Sequence, residues 1–359
     1  MLFLFGFDML IEEADGCVNC GGMIMEPKEK KVYTIDDIAR ELGVSKTTVS
    51  RAISGKGRIG QTTREKVLSF IEEHDYRPNV MAKGLAQRKT FNLALLLPKD
   101  YAITEFPFFK DCMQGICEMA SSHDYDVIIS MIDGDDLSQL QRLEANRKVD
   151  GMILSRAVEH SKAQDYLKSC KEPFVVIGPE EDTQIVYVDN KNQEASEELA
   201  SIMLMKGVQK LALLGGNQSF SVTKSRYQGY VHAHEKMGRQ VDTELIFMDC
   251  ENQLKVSVAV RQILEAGADG ILCMDDAICT MCIGSLREGK VQIPSRIRVA
   301  SLYDSKSLEY NNPPITSVKF DTVRLGKLAA GKLLKMLGEE LQEDMQPLNY
   351  QVVLRESTQ

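Results

Sequence analysis

Lys46, Thr47, Ser50 and Arg51 place one ammonium, two hydroxyls and one guanidinium within six residues. On a helix these four positions share one face, whereas Val49 and Ile53 fall on the other. A helix face of that kind suits the major groove of DNA. There Arg or Lys can fork onto guanine, and hydroxyls bond to bases less selectively.

The flanking residues supply what such a helix needs. Ile35, Ile38, Ala39 and Leu42 recur at i, i+3, i+4 and i+7, with charged Asp36, Asp37, Arg40 and Glu41 turned outward. Thr34 offers a hydroxyl N-cap, Gly43 a left-handed turn, and Ser45 a cap for the second helix. Thr34–Ile53 therefore reads as a helix-turn-helix. The plainer alternative is an αα-hairpin with a solvated charged face. It loses ground to the residues beyond Ile53. After the turn Ser54-Gly55-Lys56-Gly57, a third amphipathic helix spans roughly Thr62–His74 with Val67, Phe70 and Ile71 inward.

The charge distribution agrees with a nucleic-acid contact at one end only. The chain of 359 residues has a net charge of −9, yet residues 28–90 carry 14 Lys and Arg against 8 Asp and Glu. A small basic module on an acidic body allows phosphate contact locally and discourages non-specific adhesion elsewhere. Nine cysteines, several inside apolar runs such as Ile271-Leu272-Cys273-Met274, point to a reducing, cytoplasmic setting. Cys17-Val18-Asn19-Cys20 has metal or redox spacing but no partner pair nearby. The opening MLFLFGFDMLI has no basic region before it, is interrupted by Asp8, and is far shorter than the roughly 20 residues needed to span a bilayer. Residues 1–31 are expected to be a disordered or over-annotated extension, of which 1–24 would lie upstream of a translation start at Met25.

From Phe91 the pattern changes to short apolar runs alternating with helical segments. Strands are expected at Asn92–Leu97, Asp126–Ser130, Gly151–Leu154 and Phe174–Ile177. A second series follows with strands at Lys210–Leu214, Leu245–Met248, Gly270–Cys273 and Arg298–Ser301. Continuous apolar strands between helices mean parallel sheets covered on both faces, here in two lobes. A ligand would bind between them, beyond the carboxyl ends of the strands.

Several residues are placed for that role. Arg226 is expected to open a helix after a Gly/Asn/Ser-rich loop, where its guanidinium can fork onto hydroxyls or a carboxylate. Asp275 and Asp276 follow the strand ending at Cys273, and Asp304 follows the strand ending at Ser301. Phe108 and Phe109 could stack on a ligand or serve as core. Trp is absent, so any aromatic stacking face must be Phe or Tyr. No Ser-His-acid set, metal-ligand cluster or phosphate-cradling loop is evident, and Gly215-Gly216-Asn217 lacks dinucleotide spacing. Neither an enzyme nor a cofactor is indicated.

The run TIDDIARELGVSKTTVSRAISG, continuing through TREKVLSFIEEHDYRPNVMAKGLAQRKT, resembles the DNA-binding headpiece and hinge of the lactose-repressor family of bacterial transcription regulators. The resemblance extends from about residue 32 to the end, through Val188-Asp189-Asn190, Arg226-Tyr227-Gln228-Gly229-Tyr230 and Leu354-Arg355-Glu356-Ser357-Thr358. It implies an all-α helix-turn-helix headpiece over 32–78, a hinge over 79–90, and a periplasmic-binding-protein-like domain over 91–359. Three crossovers, near 189–191, 317–320 and 345–349, would divide that domain. One lobe would comprise about 91–189 and 320–346, the other about 190–319 and 347–359. The resemblance further implies that Lys46, Thr47 and Arg51 read bases, that Asn79 joins them at the hinge, and that Leu85 wedges into the minor groove. Arg156, within Ser155-Arg156-Ala157, matches a family ligand-contact segment. The family usually has Asn-Asp where this chain has Asp275-Asp276, so an acceptor-only carboxylate replaces an amide and a phosphorylated effector is disfavoured.

The expected protein is thus a homodimeric repressor that binds an operator under control of a small effector, a sugar or related metabolite. The alternative is a solute-binding or sensory protein of the same lobes that does not regulate DNA.

Overall fold

The computed structural model describes residues 33–55, 57–76, 84–85, 87–99, 107–133, 136–341 and 348–359. Asn79, Cys17 and Cys20 lie outside them. The chain forms two compact units, one ending at Val80 and the other beginning at Met81.

In the first unit, α1 (Ile35–Glu41), α2 (Lys46–Ser54) and α3 (Gln61–Glu73) enclose a small core of Ile38, Ala39, Val49, Ala52 and Val67. Local chemistry sets the ends of α1 and the start of α2. Thr34 and Asp37 form a reciprocal capping box, each side chain accepting from the other's backbone N–H, at 3.3 and 3.0 Å. Gly43 has φ of 63° with open space where a Cβ would sit, so conformation rather than crowding demands glycine there. Ser45 then accepts from Thr48 N–H at 3.1 Å and starts α2. Caps of this kind contribute about 1 kcal/mol each, which matters in a headpiece whose core is five residues.

The second unit holds two α/β lobes. The first lobe's parallel sheet runs β2 (Asp126–Ile132), β1 (Asn92–Pro98), β3 (Gly151–Leu154), β4 (Phe174–Ile177), β5 (Tyr187–Val188). The central strand shows why its sequence is continuously apolar. Leu93, Leu95 and Leu97 face α4 (Pro107–Ser121) and α12 (Thr322–Met336), while Ala94 and Leu96 face α5 (Ser138–Ala145) and α6 (Lys162–Ser169).

The second sheet runs β11 (Tyr350–Val353), β10 (Thr316–Phe320), β9 (Arg298–Ser301), β8 (Gly270–Cys273), β6 (Leu211–Leu214), β7 (Ile246–Phe247). One face packs α7 (Asn192–Met205) and α8 (Ser221–Lys236); the other packs α9 (Gln253–Glu265), α10 (Asp276–Glu288) and α11 (Lys306–Glu309). β11 runs antiparallel to β10, so this sheet is not wholly parallel. The chain crosses between lobes after β5, after β10, and between Leu348, buried in the first lobe's core, and Tyr350 of β11. β10 stays in the second sheet through Phe320, and Leu348 belongs to the first lobe. The lobe boundaries thus shift slightly from those expected.

Candidate functional site

On α2, Lys46, Thr47, Ser50 and Arg51 are all exposed, while Val49 and Ala52 on the opposite face are buried. The helix therefore presents its polar side chains outward because its apolar side is needed to hold α1 and α3. Lys46 is ion-paired with Asp36 of α1. The stem of Arg51 lies against Gly57, where an added Cβ would come within 3.0 Å of its Cδ. In the other unit Leu85 is 85% exposed, so a large apolar side chain stands in solvent without a core to join.

Between the two lobes, beyond the carboxyl ends of β3, β4 and β8, lies a cavity of about 140 Å³. Drug-sized ligand pockets run about 300–1,000 Å³, so this one suits a single small ring. Phe108, Phe109, Arg156, Arg226 and Asp275 line it, as do Asp189, Asn190, Asn192, Asp276 and Tyr303.

A polar chain forms one wall. Asp189 accepts from the backbone N–H of Lys191 and Asn192 and from the Asn192 amide, over 2.7 to 3.3 Å. Asn192 Oδ1 accepts from Arg226 Nε at 3.1 Å, and Arg226 Nη1 donates to the Met274 carbonyl at 2.5 Å. Burial pulls the guanidinium below its ordinary value against the carboxylates of Asp275 and Asp189, yet it stays cationic at any physiological pH. Arg226 lies in the second turn of α8 rather than at its start, because the helix begins at Ser221. The β-branched Val222 and Thr223 hide that start in the sequence.

Asp275 is the N-cap of α10, accepting from Ile278 N–H at 2.7 Å. Burial raises its carboxyl, opposed by that bond and by Arg226. Asp276 is 8% exposed, and burial together with Asp275 pushes its carboxyl up to about 6.

Asp304, expected at the cleft, is instead paired with Arg355. It is not among the residues lining the cavity; Arg355 grips both its oxygens, at 2.7 and 3.0 Å, and Ser317 bonds to one of them. Burial would raise this carboxyl, but Arg355 and Ser317 hold it below the usual carboxylate range. Its neighbour Tyr303 takes the place at the cavity.

The aromatic walls are partly core. Phe109 is buried, while Phe108 meets Phe109 and Tyr303 edge-on at 5.3 and 6.2 Å. Arg156 stacks over Phe220 of the second lobe with 4.0 Å from Cζ to the ring centroid. That contact belongs to a seam closing the cavity. Val158 and Phe220 form an antiparallel bridge, Glu159 N–H donates to Ser219 at 2.9 Å, and Lys224 Nζ lies 2.7 Å from Glu159 and 3.3 Å from Glu181.

A larger groove of about 1,260 Å³ runs beside the cavity. Two of its lysines are already ion-paired, Lys168 with Asp165 and Asp182 and Lys224 with Glu159 and Glu181. The smaller cavity, which gathers Arg226, Asp275 and Asp276 with aromatic side chains, is the better ligand site.

Sequence reasoning missed Asn190, Asn192, Tyr303 and Phe220. The Asp189-Asn190-Lys191-Asn192 run was the available signal: polar residues right after a short apolar strand lie at its carboxyl end. Cys279-Thr280-Met281-Cys282 is a second pair with metal or redox spacing. Both are free thiols buried in the second lobe's core, and among the described residues no cluster could hold a metal. No helix among them is long and apolar enough to cross a membrane.

A helix-turn-helix unit joined to two crossed α/β lobes around a polar and aromatic cavity defines the class of two-lobed transcription regulators. Residues 34–79 match the bacterial regulatory proteins of the lacI family, and residues 200–358 match the periplasmic binding protein-like domain. The chain belongs to the lacI family of bacterial regulatory proteins. It is 29% identical to the HTH-type transcriptional regulator MalR of Staphylococcus xylosus, over 91% of this chain and 98% of that one. To RegA of Clostridium saccharobutylicum it is 27% identical, over 90% and 99%. Among solved structures, a lac repressor dimer bound to operator and the anti-inducer ONPF superposes with a TM-score of 0.72 at 22% identity, covering 91% of this chain and 99% of that one. A CelR–cellobiose complex gives 0.68 at 24%, covering 90% and 99%. The family consists of DNA-binding transcription regulators, not enzymes.

Proposed function

We propose that this protein is an effector-controlled repressor that acts as a homodimer in the cytoplasm, binding a near-palindromic operator until a small sugar-like metabolite occupies the cleft. The observation that carries the reading is the outer face of α2, where Lys46, Thr47, Ser50 and Arg51 are exposed together over a buried apolar side. Two such helices, related by a dimer axis, would enter successive major grooves. The exposed Leu85 would wedge into the minor groove between them and kink the duplex.

Relatives support the same reading. The lac repressor dimer was seen on its operator, and CelR was seen with cellobiose. Ligand acts on DNA binding only if it favours one arrangement of the lobes over another. The seam of Val158, Glu159, Phe220 and Lys224 spans both lobes and gives the ligand such an arrangement to favour.

The test is gel mobility of operator fragments selected from random DNA. Wild-type protein should bend the fragment at its centre, and Leu85→Ala should lose bending and affinity together while keeping a folded headpiece. Unchanged bending by Leu85→Ala would refute the minor-groove role.

A further inference from the structure

We propose that the cleft takes a small hydroxylated ring carrying a protonated amine, with Asp276 as the carboxylate that receives the amine. This rests on the cleft being the effector site, and it adds the ligand's charge.

The argument is one of charge left over. Among the described residues three carboxylates line the cavity, those of Asp189, Asp275 and Asp276. Asp189 is consumed by two backbone N–H groups and the Asn192 amide. Asp275 caps α10 and lies in the field of Arg226. Arg226 is committed to Asn192 and to the Met274 carbonyl, and Arg156 lies over Phe220. Asp276 is left with the Ser305 hydroxyl, its own backbone N–H and a second carboxylate beside it, and Arg226 compensates it only weakly.

A carboxylate that is 8% exposed and lacks a full cationic partner is costly. Burial and the neighbouring Asp275 push its carboxyl up to about 6, and the pull of Arg226 does not offset them. A ligand ammonium would supply that cationic partner. Phe108 and Tyr303 stand in the same cavity, and aromatic faces attract a desolvated cation while also stacking on the apolar face of a sugar ring. An anionic group placed beside Asp276 would meet Asp275 as well. The cavity's volume of about 140 Å³ limits the ligand to one ring.

The test uses the full chain with D-glucosamine, D-galactosamine and D-mannosamine, each beside its parent hexose and the hexose 6-phosphate, in thermal-shift and calorimetric titrations. At least one amine should bind tenfold or more tightly than its parent hexose. Asp276→Asn should bring that amine down to parity with its parent hexose, read as the ratio of the two affinities measured in the same folded variant. Asp275→Asn, which removes the neighbouring charge, should weaken the amine preference without abolishing it.

A hexose or hexose 6-phosphate that binds as tightly as every amine overturns the amine assignment but leaves the cleft as an effector site. An amine preference that survives intact in folded Asp276→Asn overturns the role of Asp276. No binding by any amine also overturns the assignment. An amine that binds at Asp276 without changing operator affinity counts against effector control and leaves the ligand assignment standing.

Discussion

Arg226 of α8 donates from Nε to the side-chain oxygen of Asn192, the first residue of α7, over 3.1 Å. Through Nη1 the same guanidinium holds the Met274 carbonyl at the end of β8. One side chain thus ties together three elements that converge on the cavity. Arg226→Ala should lower effector affinity at least about tenfold, which is 1.4 kcal/mol. It should also lower stability by about 1–3 kcal/mol, because two buried acceptors lose their donor. Calorimetry and thermal melts separate the effects, and Arg226→Lys should recover more stability than affinity. Wild-type affinity in the alanine variant would reduce Arg226 to a purely structural group.

The helix contact beneath that pair depends on one missing side chain. A Cβ at Gly229 would sit 2.2 Å from the Gln193 carbonyl and 2.7 Å from the Ser196 Cβ. Gly229→Ala should push α8 off α7, cost about 1–3 kcal/mol as overpacking does, and weaken effector binding by displacing Arg226. Urea melts with ligand titration check both effects. A variant that keeps its midpoint would show that the two helices can part without penalty.

Asp276 gives a pH signature. Its carboxyl is pushed up to about 6 from an ordinary 3.8, first by burial and then by Asp275, so the folded chain holds this proton more tightly than the unfolded chain. Stability from this group is therefore fully present below about pH 4 and is lost as pH rises through about 6. Two pKa units correspond to about 3 kcal/mol. Asp276→Asn should be more stable than wild type at pH 7 by up to about that amount. The advantage should shrink toward zero below pH 4, as denaturant titrations across pH can read. A constant difference from pH 4 to 7 would refute the assignment of this proton.

Arg51 tests the headpiece. Arg51→Ala should weaken operator binding by about 1–3 kcal/mol and relax the preference at one base in each half-site. Equal losses on operator and random DNA would place the guanidinium on phosphate instead. Competition binding at fixed salt distinguishes the two.

The headpiece was legible because its determinants are local. Thr34 with Asp37, Gly43 and Ser45 fix helix ends through bonds spanning three or four residues, and the i, i+3, i+4 spacing of Ile35, Ile38, Ala39 and Leu42 defines the buried side. The lobes were legible for a related reason: strands such as Asn92–Pro98, covered on both faces, must be apolar throughout. What the sequence could not determine was which polar residues converge. Asp275 and Asp304 look equivalent as acids just beyond strand ends, yet one lines the cavity while the other is taken by Arg355, 51 residues further along. Asn192 reaches Arg226 only because α7 and α8 pack closely at Gly229. Such pairings join residues tens of positions apart and leave no periodic trace in the chain. They arise when helices pack and the chain crosses between lobes, so only the tertiary structure decides which charges are spent and which remain for a ligand.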